Sequence, residues 1–507
     1  MTTSSQLQDD QQDEGITPAA TDVPIRIHYP PAGRESLPDE IRDLIVDDSF
    51  TAPGDSGVPQ DVKPDWFDEK LFLEGQRYAR QNFVGVSVAA LMGIFLEYSF
   101  ADGMDPLIST SKSDTPETAG RRYLDTVYKL LTWYSSDPFD PQSRAYKSIL
   151  GVRRAHARVR KDLADISPEE RDAKFTIGKG QPVDLLCSNT HLIKQSFRSI
   201  SSGTLSCPVV SKVGPVKGEV SWEWDRVRRA YLSQGEMMVT QWALLAPFIL
   251  RPELFAAPYV TARELEAFSH VWAVFGYCLG IEDRFNCALG DLETVQKRAE
   301  LILRLVIVPH LRTMDVKSVT HWEHMMTCIT EGLTEHIPTP SFRASLAYVT
   351  EDLLGQKTNL SKTLAWSDTL QLWAMRLVLR YLPLCATSYS TTLSRAATLL
   401  VRRSRKLSPG GVWIPKSELH WILRDHRKQP VKMYRAIIRT IMTEDLLMEG
   451  GFSMSGAKNN TIAIPPKVLR AALAYTAHNA VENPNKKFNF KRTTTNFLEQ
   501  VRHKGAK

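Results

Sequence analysis

Cysteine is scarce in this chain: six residues in 507 (Cys187, Cys207, Cys278, Cys287, Cys328 and Cys385), none arranged as C-x-x-C. That pattern excludes a disulfide framework and a cysteine zinc module, and it fits a reducing compartment. Long hydrophobic runs are also missing. The stretch from Val84 to Leu96 (VGVSVAALMGIFL) spans 13 residues before Glu97, which suits a buried helix better than a membrane span. There is no G-x-G-x-x-G, P-loop, H-E-x-x-H or G-x-S-x-G motif, and no repeat of fixed period. Nucleotide hydrolysis, zinc proteolysis and serine-hydrolase chemistry therefore lose their support. Strand-like alternation and hairpin dipeptides are few, leaving helical periodicity as the dominant signal from Pro64 onward.

What is present is the composition of a globular protein, 43% hydrophobic and 24% charged, with a formal charge of +6. The charge is unevenly spread. Residues 1–60 hold twelve Asp/Glu against Arg26, Arg34 and Arg42, so residues 61–507 carry 60 basic and 45 acidic side chains. The acidic stretch is poor in large apolar groups and reads as a tail without a core of its own. Its start, MTTSSQLQDDQQDEG, lacks the basic and apolar regions of a secretory signal, so an intracellular protein is expected, cytoplasmic or peripherally membrane-associated.

Capping chemistry marks several helix starts: Ser167 with Glu170, Ser233 with Glu236, and Thr261 with Glu264, where Gly280 supplies the stop. The segment after Ser233 (MMVTQWALLAPFIL) has no polar face and is expected in the centre of the protein. Residues 179–220 are rich in Ser, Gly, Pro and Lys and read as a loop-rich insertion with short helical pieces. After Pro409-Gly410-Gly411, short amphipathic helices are expected at 416–425, 430–448 and 465–479. Leu370 to Leu400, followed by Arg402-Arg403-Ser404-Arg405-Lys406, has two readings: a helix lying in a membrane interface, or a core-packed helix with a solvated basic end. The terminal NPNKKFNFKRTTTNF is a basic polar tail, and no nucleic-acid partner is expected.

The helix around 145–163 carries the most chemistry. Ala145, Ile149, Val152, His156, Val159 and Leu163 share one face at 100° per residue, which aims His156 inward, with Arg153 and Arg160 beside it. An inward imidazole flanked by guanidinium groups requires a hydrogen-bonding or anionic partner, most simply a carboxylate from another helix. His156 is thus either a satisfied core residue or a functional one. His270 lies on the opposite side of its helix from Leu265 and Trp272. His321 and His324 share a face, but lack the glutamate-rich helices of a di-metal site.

In order along the chain, PDWFDEKLFLEGQRYARQNF, VGVSVAALMGIFL, RRYLDTVYKLLTWY, GVRRAHARVR, LSQGEMMVTQWALL and AFSHVWAVFGYCLGIEDRF resemble the catalytic domain shared by the ER-bound MpaB-type oxygenases and the bacterial rubber oxygenases, or latex-clearing proteins. The resemblance spans residues 64 to about 350 and implies an all-α, globin-reminiscent multi-helix bundle with buried central helices and a helical C-terminal extension. It further implies an oxidoreductase that uses haem b to cleave an apolar, isoprenoid-like substrate with O₂. On that reading Arg153 and His156 are catalytic; Arg153, Arg160, Thr240 and Trp242 contact the cofactor; and His156 or His270 meets the metal. Where rubber oxygenases place a proximal histidine after a Val-Thr pair, this chain has Val239-Thr240-Gln241-Trp242. Three outcomes follow: iron held from a new position, another cofactor, or a cofactor-free lipid-binding or scaffold protein. The expected organisation is an acidic tail (1–60), an oxygenase-like helical domain (64–355), a helical C-terminal region (360–480) and a basic tail (481–507).

Overall fold

The computed structural model describes residues 38–164, 190–198 and 231–406, apart from a few positions within these ranges, together with residue 166 and four two-residue strands. The fold is all-α. The main helices are α1 (Glu69–Gln81), α2 (Phe83–Glu97), α3 (Pro116–Trp133), α4 (Arg144–Ala164), α5 (Thr190–Arg198), α6 (Gln234–Leu250), α7 (Ala262–Leu279), α8 (Leu292–Ile302), α9 (Val316–Thr334), α10 (Phe342–Ala347), α11 (Trp366–Arg376) and α12 (Tyr389–Lys406). Among the described residues, the strands pair as Ile27–His28 with Glu223–Trp224 and Ser453–Met454 with Ile462–Ala463.

The two helices without a polar face, α2 and α6, pack on each other at the centre, as their sequences require. Their backbones approach closely because Gly93 faces Ala243: a Cβ on Gly93 would stand 1.8 Å from the Ala243 carbonyl oxygen. The same device joins α3 to α9, where Gly120 and Gly332 meet backbone to backbone. Around this centre α7 packs on α1, and α4 lies against α3 and α7. Trp242, Trp272 and Trp322 are among the largest fully buried side chains. Leu372, Met375, Leu379 and Val401 of the region after residue 360 join the same core as α2 and α6.

Local signals are realised as read. Ser233 and Glu236 form a capping box at α6, Thr261 and Glu264 form one at α7, and Gly280 closes α7 in the left-handed conformation (φ 100°). Of the stretch 179–220, the described residues form α5, whose Ile193 and Phe197 enter the core; the rest lies outside the described residues. The capping box at Ser167 and the helices expected at 416–425, 430–448 and 465–479 lie outside the described residues, as does the basic tail.

The acidic tail ends earlier than residue 60. Short helices cover Asp39–Arg42 and Asp47–Thr51, and Ile41, Leu44 and Ile45 are core residues. Residues 52–56 then thread between the start of α6 and the end of α7: Gly54 N–H donates to Leu232 O (2.9 Å), Ser56 N–H to Gly280 O (2.8 Å), and Gln234 N–H to Ala52 O (3.0 Å). Few apolar residues suffice here because the strand-like segment satisfies its backbone against two helix ends. Among the described residues, no single helix is long and apolar enough to cross a membrane; α1 and α2 pass such a test only as a pair bent by 89°.

Candidate functional site

The expected face of α4 is present: Ala145, Ile149 and Leu163 are buried, and Val152, His156 and Val159 are half-buried between them. The anion that balances the neighbouring arginines is Asp55, which comes from the threaded segment rather than from a helix. Its carboxylate accepts from Arg153 Nε (3.0 Å) and Nη2, and its second oxygen stands 3.7 Å from Arg160 Nη2. Arg153 also donates to Val58 O (2.7 Å), and Arg160 to Leu232 O (3.2 Å). Burial acts to raise the Asp55 pKa, but Arg153, the Gly57 N–H and both guanidinium charges outweigh it, and the net direction is down.

His156 is half-buried, and its imidazole is enclosed by protein. Burial first, then the charges of Arg160, Arg122 and Lys129, push its pKa down to about 4, leaving a neutral ring at pH 7. Its Nδ1 is enclosed and has no hydrogen-bond partner among the described residues.

A second polar group lies at the end of α2. The Glu97 carboxyl meets Thr240 Oγ1 of α6, which also contacts the carbonyl of Glu236 one turn earlier (3.0 Å). Burial raises the Glu97 pKa to about 7, with a smaller upward push from Glu236. The next residue, Tyr98, shares a hydrogen bond with Tyr123 of α3. Burial raises both phenols, Tyr123 to about 12. Arg122 lies within electrostatic reach of these phenols and of His156, so the end of α2 and the middle of α4 face α3 from two sides. Sequence reasoning missed Glu97 and Asp55. A lone carboxyl closing an apolar helix was the available signal for the first; Asp55 stood in a stretch read as a tail.

Positions 240–242 are otherwise engaged. The Trp242 indole donates to Ala299 O (2.9 Å) and is 1% exposed. Gln241 donates to Trp272 O (2.9 Å) and Asn286 Oδ1 (2.8 Å), and its own oxygen accepts from Cys287 N–H (3.1 Å). His270 lies elsewhere: its Nε2 accepts from Asp68 N–H (3.1 Å) at the start of α1, and its ring meets Trp66 edge-on and stacks with Phe67. Burial lowers its pKa despite Asp68. His324 donates to Asp114 O (3.0 Å). Among the described residues, no group of three His, Cys, Asp or Glu side chains is arranged to hold a metal ion.

Compared with protein-family models, curated proteins and solved structures, the chain matches none.

Proposed function

We propose that this chain is an oxygenase-like protein acting on an apolar, isoprenoid-like substrate beside α4, with His156 as the residue that would hold the iron of haem b. The observation that carries the reading is the His156 imidazole: neutral at pH 7, on the inward face of α4, with an enclosed nitrogen that has no hydrogen-bond partner among the described residues. A core histidine without a role would normally have that nitrogen satisfied. His156 is the residue that would hold the iron, through its imidazole nitrogen. The engaged Gln241 and Trp242 offer no ligand, since an indole N–H is a donor only.

Haem, when bound, supplies O₂ activation. The chain's own residues supply the rest. Arg122, which donates to Ser113 Oγ (3.0 Å), would provide positive charge suited to carboxylate substituents; Lys129 is paired with Asp125 (2.7 Å), and Arg153 and Arg160 are committed to Asp55 and hold α4 in place. Val152 and Val159, half-buried on the same face of α4 as His156, would provide apolar surface for the substrate.

The engagement of Gln241 and Trp242 favours a second reading, a cofactor-free protein that binds an apolar ligand or a partner. A peripheral membrane contact through residues 370–406 is compatible with either. Trp366, Trp373, Tyr381 and Leu384 are exposed, as are Arg395, Leu399 and Arg402 on one face of α12, a combination suited to an anionic lipid surface.

The test is the absorption spectrum and metal content of protein expressed with a haem precursor. A Soret band with stoichiometric iron, lost or shifted in His156→Ala at unchanged helical content, is expected. A colourless, iron-free, folded protein would leave the cofactor-free reading in its place.

A further inference from the structure

The outer face of α4, opposite the one that carries His156, is a line of positive charge. Arg144, Lys147, Arg154, Arg158 and Lys161 are exposed there and, with Gly151, recur every three or four residues. They fall within about 100° of one another around the axis and extend over about 26 Å of its length. Lys147 donates to Gln142 O (3.0 Å). Among the described residues, the ion pairs of α4 are those of Arg153 and Arg160 with Asp55, away from this face. The one acid of α4 is Asp162, at the edge of the line.

Gly151 stands in the middle. A glycine weakens a helix relative to alanine, so a packing reason is expected for it. Every other helical glycine among the described residues has one: a Cβ on Gly75, Gly85, Gly93, Gly120, Gly235, Gly276 or Gly332 would collide with a neighbouring element. A Cβ on Gly151 would meet nothing within 4 Å. The close approach that a bare backbone permits is open here, between Lys147 and Arg154.

Charge and period select the occupant. A second copy presenting the same face would bring like charges together. The exposed residues of α4 include no large apolar side chain to enter a lipid layer and no aromatic ring to stack on a base. An acidic helix laid along α4 meets the line repeatedly, because carboxylates at three- and four-residue spacing recur with the same rise. It can cross closest at Gly151, as α6 crosses α2 at Gly93.

We propose that this face of α4 is a docking surface for an acidic helix of a partner protein. The surface does not depend on the haem reading. Exposed ion pairs are individually weak and screened by salt, so the association draws on the whole line and is salt-sensitive.

The test is fluorescence anisotropy of the full chain with a labelled, helix-forming peptide of about 20 residues that carries glutamates at three- and four-residue spacing. Binding that weakens with salt, and at least about tenfold in Arg154→Glu with Arg158→Glu, is expected. Gly151→Leu changes no charge and improves helix propensity; it should weaken binding several-fold while unfolding temperature holds or rises. No binding, equal binding of a peptide with the same composition but its glutamates spread around the helix, or unchanged affinity in Gly151→Leu would overturn the proposal. Tighter binding of duplex DNA or of phosphatidylserine vesicles, lost in the charge-reversed variant, assigns the face to those polyanions and overturns it as well. So does a tenfold gain in peptide affinity when Asp9, Asp10 and Asp13 are changed to Asn and Glu14 to Gln, which would show the chain's own acidic start in that place.

Discussion

Arg153 and Asp55, 98 residues apart in sequence, form an ion pair that ties the middle of α4 to the segment threaded between α6 and α7. The Arg153 side chain is 10% exposed and the Asp55 side chain 27%, so water screens the pair only partly.

Replacing Asp55 by Ala leaves two enclosed guanidinium groups without their anion and is expected to cost about 3 kcal/mol. Denaturant unfolding measures it. Because the Asp55 pKa is lowered on folding, its contribution is present above the ordinary carboxylate range and is lost as pH falls through it; the loss in Asp55→Ala should shrink below about pH 4.

His156 acts in the opposite sense. Its folded pKa, about 4, lies below the ordinary 6.5, so the unfolded chain binds more protons between these values and stability rises with pH across that window. The difference in unfolding free energy between wild type and His156→Asn should show this slope. Glu97, raised on folding, slopes the other way over pH 4.5 to about 7, so only wild-type-minus-variant differences separate the two. A flat difference for His156→Asn would show that the ring is not desolvated.

The Gln241 amide joins α6 to α7 and to the loop at Asn286 and Cys287 through both ends of its side chain. Gln241→Leu fills similar volume but strands these buried groups, and a loss of at least about 2 kcal/mol is expected by thermal or denaturant unfolding. Stability within experimental error of wild type would show that the network contributes nothing.

Trp366 and Trp373 are 43% and 40% exposed on α11. If this face meets lipid, the full chain should float with anionic vesicles in a salt-sensitive manner, and the double variant Trp366→Ser, Trp373→Ser should float less. Wild-type protein that stays with the soluble fraction removes the lipid contact.

The legible features were those decided within a few residues. Thr261 and Glu264 meet across one helical turn, so the start of α7 needed nothing from the rest of the chain. The inward aim of His156 followed from a period that any apolar face must obey. The need for an anion beside Arg153 was also readable, because an unbalanced enclosed charge is costly. Its identity was not, since Asp55 reaches the site only when α6 and α7 present their ends to residues 52–56.

By itself, then, the sequence determined the helical class, the central place of α2 and α6, the capped starts of α6 and α7 and the inward face of α4, all consequences of local hydrogen bonding and hydrophobic period. Only the tertiary structure decided that Asp55 pairs with Arg153 and Arg160, that Gln241 is a crossing point between elements, and that Glu97 faces Thr240. Each of these depends on groups distant in sequence being enclosed together, and it is that enclosure which determines whether a proton, a charge or a hydrogen bond is stable there.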